Sequence, residues 1–357
     1  MRRRTLTAIA LTLAFLTLSV PAFACGGLLS PNGSVNLVKT TTLAGYHNGV
    51  EHYVTSFRFV GGGGAKFGSI VPLPGIPSKV ERGGDWTLQR LEREVNPPKR
   101  VIGLFAAAES APSPAHARIL LQTRIDALDI TVLEGGGGEV ARWAVENGFD
   151  LPPDAPEVLD FYANRSPIFL AASFDSKTAQ EQGLSEGDGT PIHLTIPTPA
   201  PWVPLRILAL GKQPAELIEA DVFLLTDRAP SMLPGPEGFR ATDARPIVPG
   251  MRLVRSSRAN DLLLSDLRVD KGMSWIPRNM WLSYITIGAS AAELRYDLAL
   301  DASGAGHPSY IAAGLQSALR RLGDAASPGR LAFPVILAFA LAGIGTAVIG
   351  TRRLAAR

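Results

Sequence analysis

Twenty consecutive residues without a charge, Leu331 to Gly350, constrain this chain more than any other feature. As a helix rising about 1.5 Å per residue, the run reaches ~30 Å, the thickness of a bilayer's hydrocarbon core, so a transmembrane helix is expected over 331–350. Arg352, Arg353 and Arg357 follow it, and the positive-inside rule would hold this basic tail, residues 351–357, in the cytoplasm. A buried core helix is the competing reading, but such helices rarely need so long an uncharged run ahead of a basic tail.

The opposite end has a matching architecture. Arg2, Arg3 and Arg4 precede the uncharged stretch Thr5 to Val20, and Ala22-Phe23-Ala24 supplies small residues at −3 and −1 of a signal-peptidase site. Residues 1–24 therefore read as a removed secretory signal. Cys25 stands directly after the cut, so lipidation competes, although Ala-Phe-Ala lacks the Leu of a lipobox. The expected layout is an extracytoplasmic domain over 25–328, anchored once in the cytoplasmic membrane, with the lipid bilayer as one partner.

This layout changes the meaning of the charge. The formal net charge is +3, but seven of the 35 basic residues lie in the two ends (Arg2–Arg4, Arg330, Arg352, Arg353 and Arg357). Without them 28 basic residues face 32 acidic ones, a net of −4, which leaves no electrostatic footprint for nucleic acid. One cysteine excludes a disulfide framework within the chain, and 36 Gly with 28 Pro indicate many turns.

Between the ends the pattern switches repeatedly between strand-like alternation and short amphipathic helices. The fold class expected is α+β, with mixed, largely antiparallel sheets and short helices. Val35–Leu43 and Val50–Val60 flank Asn48-Gly49, the signature of a type I′ hairpin. Phe67–Val71 predicts a strand ended by prolines. Asp85 predicts the cap of a helix carrying Leu88, Leu91 and Val95, and Leu104–Ala108 follows. Arg118–Leu133 reads as a long or broken strand. Val140, Trp143 and Ala144 share a helix face closed by Asn147-Gly148, and Asp154 predicts the cap of the next helix, with Val158, Phe161 and Tyr162. Strands are expected at Ile168–Phe174, Ile192–Ile196, Leu205–Leu210, Ala220–Thr226, Trp281–Ile287 and Leu294–Leu300. The Pro- and Gly-rich stretch 230–249 predicts a long loop or a seam between subdomains. Ser309–Leu322 predicts a helix packed on the sheet.

Tests for known chemistry give little. Gly183-Leu184-Ser185-Glu186-Gly187 matches G-x-S-x-G, but polar residues precede it where a nucleophile elbow needs a buried strand, so a surface turn is expected. His47, Glu51 and His52 cluster in the first hairpin. Residues five apart on a strand point to opposite faces, which would separate His47 from His52 and spoil a shared metal. His193, between Ile192 and Leu194, is expected to face away from the apolar side, and His116 and His307 have no ligand spacing. The pairs Asp126 with Asp129 and Asp297 with Asp301 read as solvated faces or caps. Neither Gly run, 61–64 or 135–138, has a phosphate-loop ending. No catalytic, cofactor-binding or metal-ligating residue is assigned, and no cofactor is expected.

A series of segments resembles the bacterial family named domain of unknown function 2330: Ala24-Cys25-Gly26-Gly27, Phe67 to Pro74, Trp143 to Phe149, Leu151-Pro152, Leu159 to Tyr162, Ile168 to Ala171 and Val203 to Ile207. The series spans roughly Cys25 to Asp227. The chain departs from the pattern in having no second cysteine after Cys25-Gly26-Gly27, and Ser69 or Ile70 where an aromatic residue is common. The resemblance implies an exported or membrane-anchored bacterial protein and carries over no catalytic residue. The expected function is a binding or scaffold module of the bacterial envelope with an envelope protein as partner; the alternative is an envelope hydrolase or other enzyme whose catalytic groups are dispersed through the fold.

Overall fold

The computed structural model describes residues 28–29, 35–61, 67–96, 117–174, 187–188, 190–238, 247–303 and 306–315. The expected signal, the hydrophobic run 331–350, Leu104–Ala108, Cys25, His116 and Ser185 lie outside them. No helix among the described residues is long and apolar enough to cross a membrane. The described residues up to Ala313 belong to one compact unit.

In chain order the elements are β1 (Leu28–Leu29), β2 (Val35–His47), β3 (Val50–Gly61), β4 (Phe67–Leu73), β5 (Lys79–Arg82), α1 (Thr87–Val95), β6 (Arg118–Ile125) and β7 (Leu128–Glu134). Then come α2 (Gly137–Glu146), α3 (Ala155–Ala163), β8 (Ile168–Phe174), β9 (Gly187–Asp188), β10 (Ile192–Pro197), β11 (Trp202–Val203) and a 3-10 turn at Arg206–Ala209. The last are β12 (Leu217–Thr226), β13 (Ser231–Leu233), β14 (Gly235–Glu237), β15 (Ile247–Arg258), α4 (Asp261–Val269), β16 (Trp281–Ser290) and β17 (Leu298–Asp301). The class is mixed α+β, with large, mainly antiparallel sheets and a few short helices.

Among the described residues three sheets form. The largest runs β14-β15-β16-β12-β2-β3-β10-β5 with β9 beside β3; a second runs β1-β4-β8-β7-β6; a third runs β11-β17-β13. Pairing is antiparallel except between β2 and β12 and between β14 and β15. The first hairpin turns on Asn48 and Gly49, both at positive φ (51° and 78°), as a type I′ turn requires. The segment Arg118–Glu134 is the broken strand expected, a hairpin folded at Asp126, whose φ is +52°.

Helices α1 and α4 cover one face of the large sheet. Leu88 and Leu91 of α1 and Leu263, Leu264 and Leu267 of α4 bury against Leu43, Val54, Phe223 and Leu282. At ~1.5–3 kcal/mol for each fully buried aliphatic or aromatic side chain, this layer is a main source of stability. The start of α1 corrects the expected cap. Asp85 is exposed; the capping carboxylate is Asp270, just after α4, which accepts from the Asp85 amide (3.0 Å), the Trp86 amide (3.1 Å) and Thr87 Oγ1 (2.6 Å). Helix α4 itself was not anticipated, although Asn260 caps it by accepting from the Leu263 amide at 2.7 Å.

The opposite face of the large sheet meets β4 and the 3-10 turn around a small cavity of about 20 Å³ lined by Thr40, Tyr53, Ala220, Ile70 and Leu205. Leu205–Leu210 is thus a turn and not the expected strand: its apolar side chains are packed inward from a loop. Two further expectations are revised. Residues 230–249 contain β13, β14 and the start of β15, so the stretch is no simple loop, and Leu294–Asp297 is irregular, with strand only from Leu298.

Candidate binding cleft and the buried titratable groups

The histidines of the first hairpin are arranged differently from the expectation. Gly45 lies opposite His52, and Gly45 and His47 are two apart on one strand, so His47 and His52 share a face. Counting five residues along the chain misleads here because the tight turn lies between them. Glu51, next to His52, points to the other face. His47 Nδ1 is 2.8 Å from Asp227 Oδ1 and is partly exposed. His52 is buried, with Nδ1 3.1 Å from Nε2 of His193 and its ring stacked on Trp275 at 3.9 Å. Gly45 permits that stack, since a Cβ there would stand 2.1 Å from the Trp275 ring. His193 is buried too, because β10 is covered on both faces; its Nδ1 lies 3.4 Å from Glu81 Oε1.

Burial, followed by the repulsion of His193, pushes His52 down to about 3. Burial, followed by Lys79, pushes His193 down to about 4. Both rings are therefore neutral near pH 7, sharing one proton between the facing nitrogens. Among the described residues no three His, Cys, Asp or Glu side chains converge as metal ligands.

On the reverse face Glu51 is 0% exposed, and among the described residues no side chain hydrogen-bonds to its carboxyl oxygens. Desolvation raises its pKa to about 8, opposed by the Trp202 backbone, so the group is largely protonated at neutral pH.

Asp297 organises a different region. Its Oδ1 accepts from Tyr162 Oη (2.8 Å) and from the amides of Leu205 (2.7 Å) and Arg206 (3.0 Å), while Oδ2 pairs with Arg165. Tyr162 Oη in turn accepts from the Ile207 amide at 2.8 Å. The Arg165 guanidinium lies over Phe161 (4.3 Å), Trp202 (4.7 Å) and Tyr162 (4.8 Å) and donates to Ala312 O. Burial, then the Asp297 charge, holds the Tyr162 hydroxyl well above its ordinary pKa. Asp297 is thus a buried hub and no partner of Asp301, whose carboxylate binds Ser303 and the His307 amide. Asp126 and Asp129 are likewise separated, accepting from Thr190 and Arg124 respectively.

Directly outside the hub lies a cleft of about 220 Å³ whose walls include Asp154, Glu157, Arg206, Lys212, Leu294 and Arg295. Arg206 is fixed from three sides: its amide binds Asp297, its guanidinium lies 4.1 Å over Phe161, and its Nη2 donates to both oxygens of Glu157 (2.5 and 2.6 Å). Asp154 stands at the N-cap position of α3 as expected, but its carboxylate accepts from the Gly211 amide at 3.1 Å and not from the helix's own amides. Lys212 is buried against Glu216. Arg295 donates through Nε to Ala292 O and is exposed. The arrangement can bind an acidic group, because one guanidinium is held in place while its carboxylate partner is solvated. None of these cleft residues was singled out as a site from the sequence; Phe161, Tyr162, Leu205 and Arg206 fall within the family-like segments, whereas Asp297 and Arg295 do not.

Baculovirus P35 is similar at 10% identity and a TM-score of 0.39, over 75% of this chain and 97% of that one. A mutated baculovirus P35 after caspase cleavage is similar at 8% identity and a TM-score of 0.35, over 74% and 99%. No curated protein matches. Residues 20–228, more than half of the chain and including the Tyr162–Arg206 side of the cleft, match the family described as uncharacterized protein conserved in bacteria (DUF2330), and the chain belongs to that family.

Proposed function

We propose that the chain is a binding module of the bacterial envelope, displayed outside the cytoplasmic membrane by the helix expected at 331–350, and that it recognises an acidic group in the Arg206 cleft. One observation carries the cleft reading: Arg206 is held rigidly with its side chain 12% exposed, whereas its partner Glu157 is 69% exposed. A solvated carboxylate contributes at most ~1 kcal/mol to such a pair, so a ligand carboxylate or phosphate can replace it without breaking the hub. Arg295 lines the same cleft and offers a second cation for the ligand.

Calorimetric titration of the full chain in detergent micelles with succinate, citrate and inorganic phosphate tests the site. At least one should bind. Glu157→Ala should tighten that binding severalfold by removing the internal competitor, and Arg206→Ala should abolish it. Binding unaffected by either substitution, or none with any of the three anions even in Glu157→Ala, would defeat the reading.

The membrane placement rests on the sequence alone, on the signal-like start and the basic residues after the uncharged run. Protease added to spheroplasts should digest the domain; complete protection until the membrane is lysed would reverse the assigned orientation.

A further inference from the structure

The Arg206 cleft carries both signs of charge. Asp154 and Glu157, at the cap and in the first turn of α3, supply two carboxylates, and Arg206 and Arg295 supply two guanidinium groups. Lys212 adds no free charge, since it is buried against Glu216. Among the described residues Asp154 forms no ion pair; its carboxylate accepts from the Gly211 amide. Arg295 forms no ion pair among them either: it is exposed, and its Nε donates to Ala292 O. Arg206 is paired with Glu157, whose carboxylate is mostly solvated. A simple anion does not match this set of charges. By taking Arg206 it would leave Glu157 without its cation, three residues from the carboxylate of Asp154, and like charges at that helical spacing repel.

We infer that the ligand of this cleft is a small zwitterion, with a carboxylate and an ammonium group on one short aliphatic body, as in a free amino acid; the assignment rests on Arg206 receiving the acid group. The ligand carboxylate replaces Glu157 on Arg206, and the ligand ammonium takes up the carboxylate that Arg206 releases, or that of Asp154. Each charge freed by the exchange is met by the opposite charge of the same molecule. Size points the same way. At ~30 Å³ for each water-sized group, a cleft of about 220 Å³ has room for roughly seven such groups, the heavy-atom count of a small amino acid. Ala209, Pro214 and Ala291 offer its carbon body a wall of small apolar side chains. Because Glu157 is exposed, the ammonium contact adds at most about fivefold in affinity, and the acid group on Arg206 contributes the larger part.

The test is calorimetric titration of the full chain in detergent micelles near neutral pH with alanine, valine and γ-aminobutyrate, each against the acid that lacks its amine: propionate, isovalerate and butyrate. At least one amino acid should bind about three- to fivefold tighter than its matched acid. In the double variant Asp154→Asn/Glu157→Gln that preference should vanish while the acid still binds, and Arg206→Ala should abolish binding of both. Asn and Gln keep the side-chain shapes and an acceptor for the Gly211 amide, so the double variant should keep its fold, which circular dichroism checks. Matched acids that bind as tightly as the amino acids, or binding of succinate, citrate or phosphate while no amino acid binds, would overturn the zwitterion and leave the anion site standing. A preference that survives the double variant overturns it as well, by placing the amine elsewhere, as does amino-acid binding that survives Arg206→Ala, by placing the ligand outside the cleft. No binding of any amino acid, acid or inorganic anion defeats the anion site itself, and the zwitterion with it.

Discussion

Glu51→Gln should raise the stability of the folded chain by about 5 kcal/mol near pH 9 and change it little near pH 4. The reason is that Glu51 is fully buried with no cation beside it among the described residues, and burial lifts its pKa from 4.5 to about 8 against the smaller opposing effect of the Trp202 backbone. Below about pH 4.5 the carboxyl is protonated in both the folded and the unfolded chain, and it contributes no pH dependence. As pH rises through 4.5 the unfolded chain gives up its proton while the folded chain retains it, so stability falls until pH passes about 8. Glutamine has nearly the same shape and cannot ionise, which removes this loss. The buried pair His52 and His193 produces the opposite limb. Their folded values, about 3 and about 4, lie below the ordinary 6.5, so their contribution is complete above about pH 6.5 and is lost as pH falls. Urea unfolding followed by tryptophan fluorescence across this range measures both limbs. A Glu51→Gln effect that is the same at pH 4 and pH 9 would show that the carboxyl is not held protonated by burial.

Asp297→Ala should cost about 4 kcal/mol, enough to threaten folding altogether. The substitution strands the buried Arg165 charge and leaves two amides and the Tyr162 hydroxyl without their acceptor. Breaking one side of a buried pair is far more damaging than never having had the pair, so the double variant Asp297→Ala/Arg165→Met should recover part of the loss. Tyr162→Phe removes one hydrogen-bonding hydroxyl and should cost about 1–2 kcal/mol. The same unfolding experiment applies, and a loss below about 1 kcal/mol for Asp297→Ala would remove Asp297 from its place as the hub.

The elements legible in the sequence are those whose signals are local. Asn48-Gly49 marks the hairpin turn, Asn147-Gly148 ends α2, and the run Ile168–Phe174 coincides with β8, because each depends on residues within a turn or a few positions. What escaped depends on partners distant in the chain. Asp270 caps a helix from more than 180 positions away, and nothing near Thr87 announces it. The Leu205–Leu210 run looks like a strand because its apolar side chains are buried, yet its backbone amides bind Asp297 and Tyr162 and not a neighbouring strand. Asp297 itself looks like half of a surface carboxylate pair, since sequence spacing does not reveal that four donors close over it. The family resemblance was readable from a series of short segments, and it covers one wall of the cleft while stopping before the other.

The position of β12 has a consequence for how the chain is assembled. In the finished sheet β12 lies between β2, which precedes it by about 180 residues, and β16, which follows it by about 60. A chain made from its N-terminus therefore completes its first hairpin long before either neighbour of that central position exists. Until residue 226 has emerged, one border of β2 stands open to any other strand, and β12 in turn waits for residues 281–290. Closing such distant pairs is slow, and an apolar border left open meanwhile invites wrong pairing. The hairpin formed first is the one exposed longest to wrong pairing before its proper neighbour arrives.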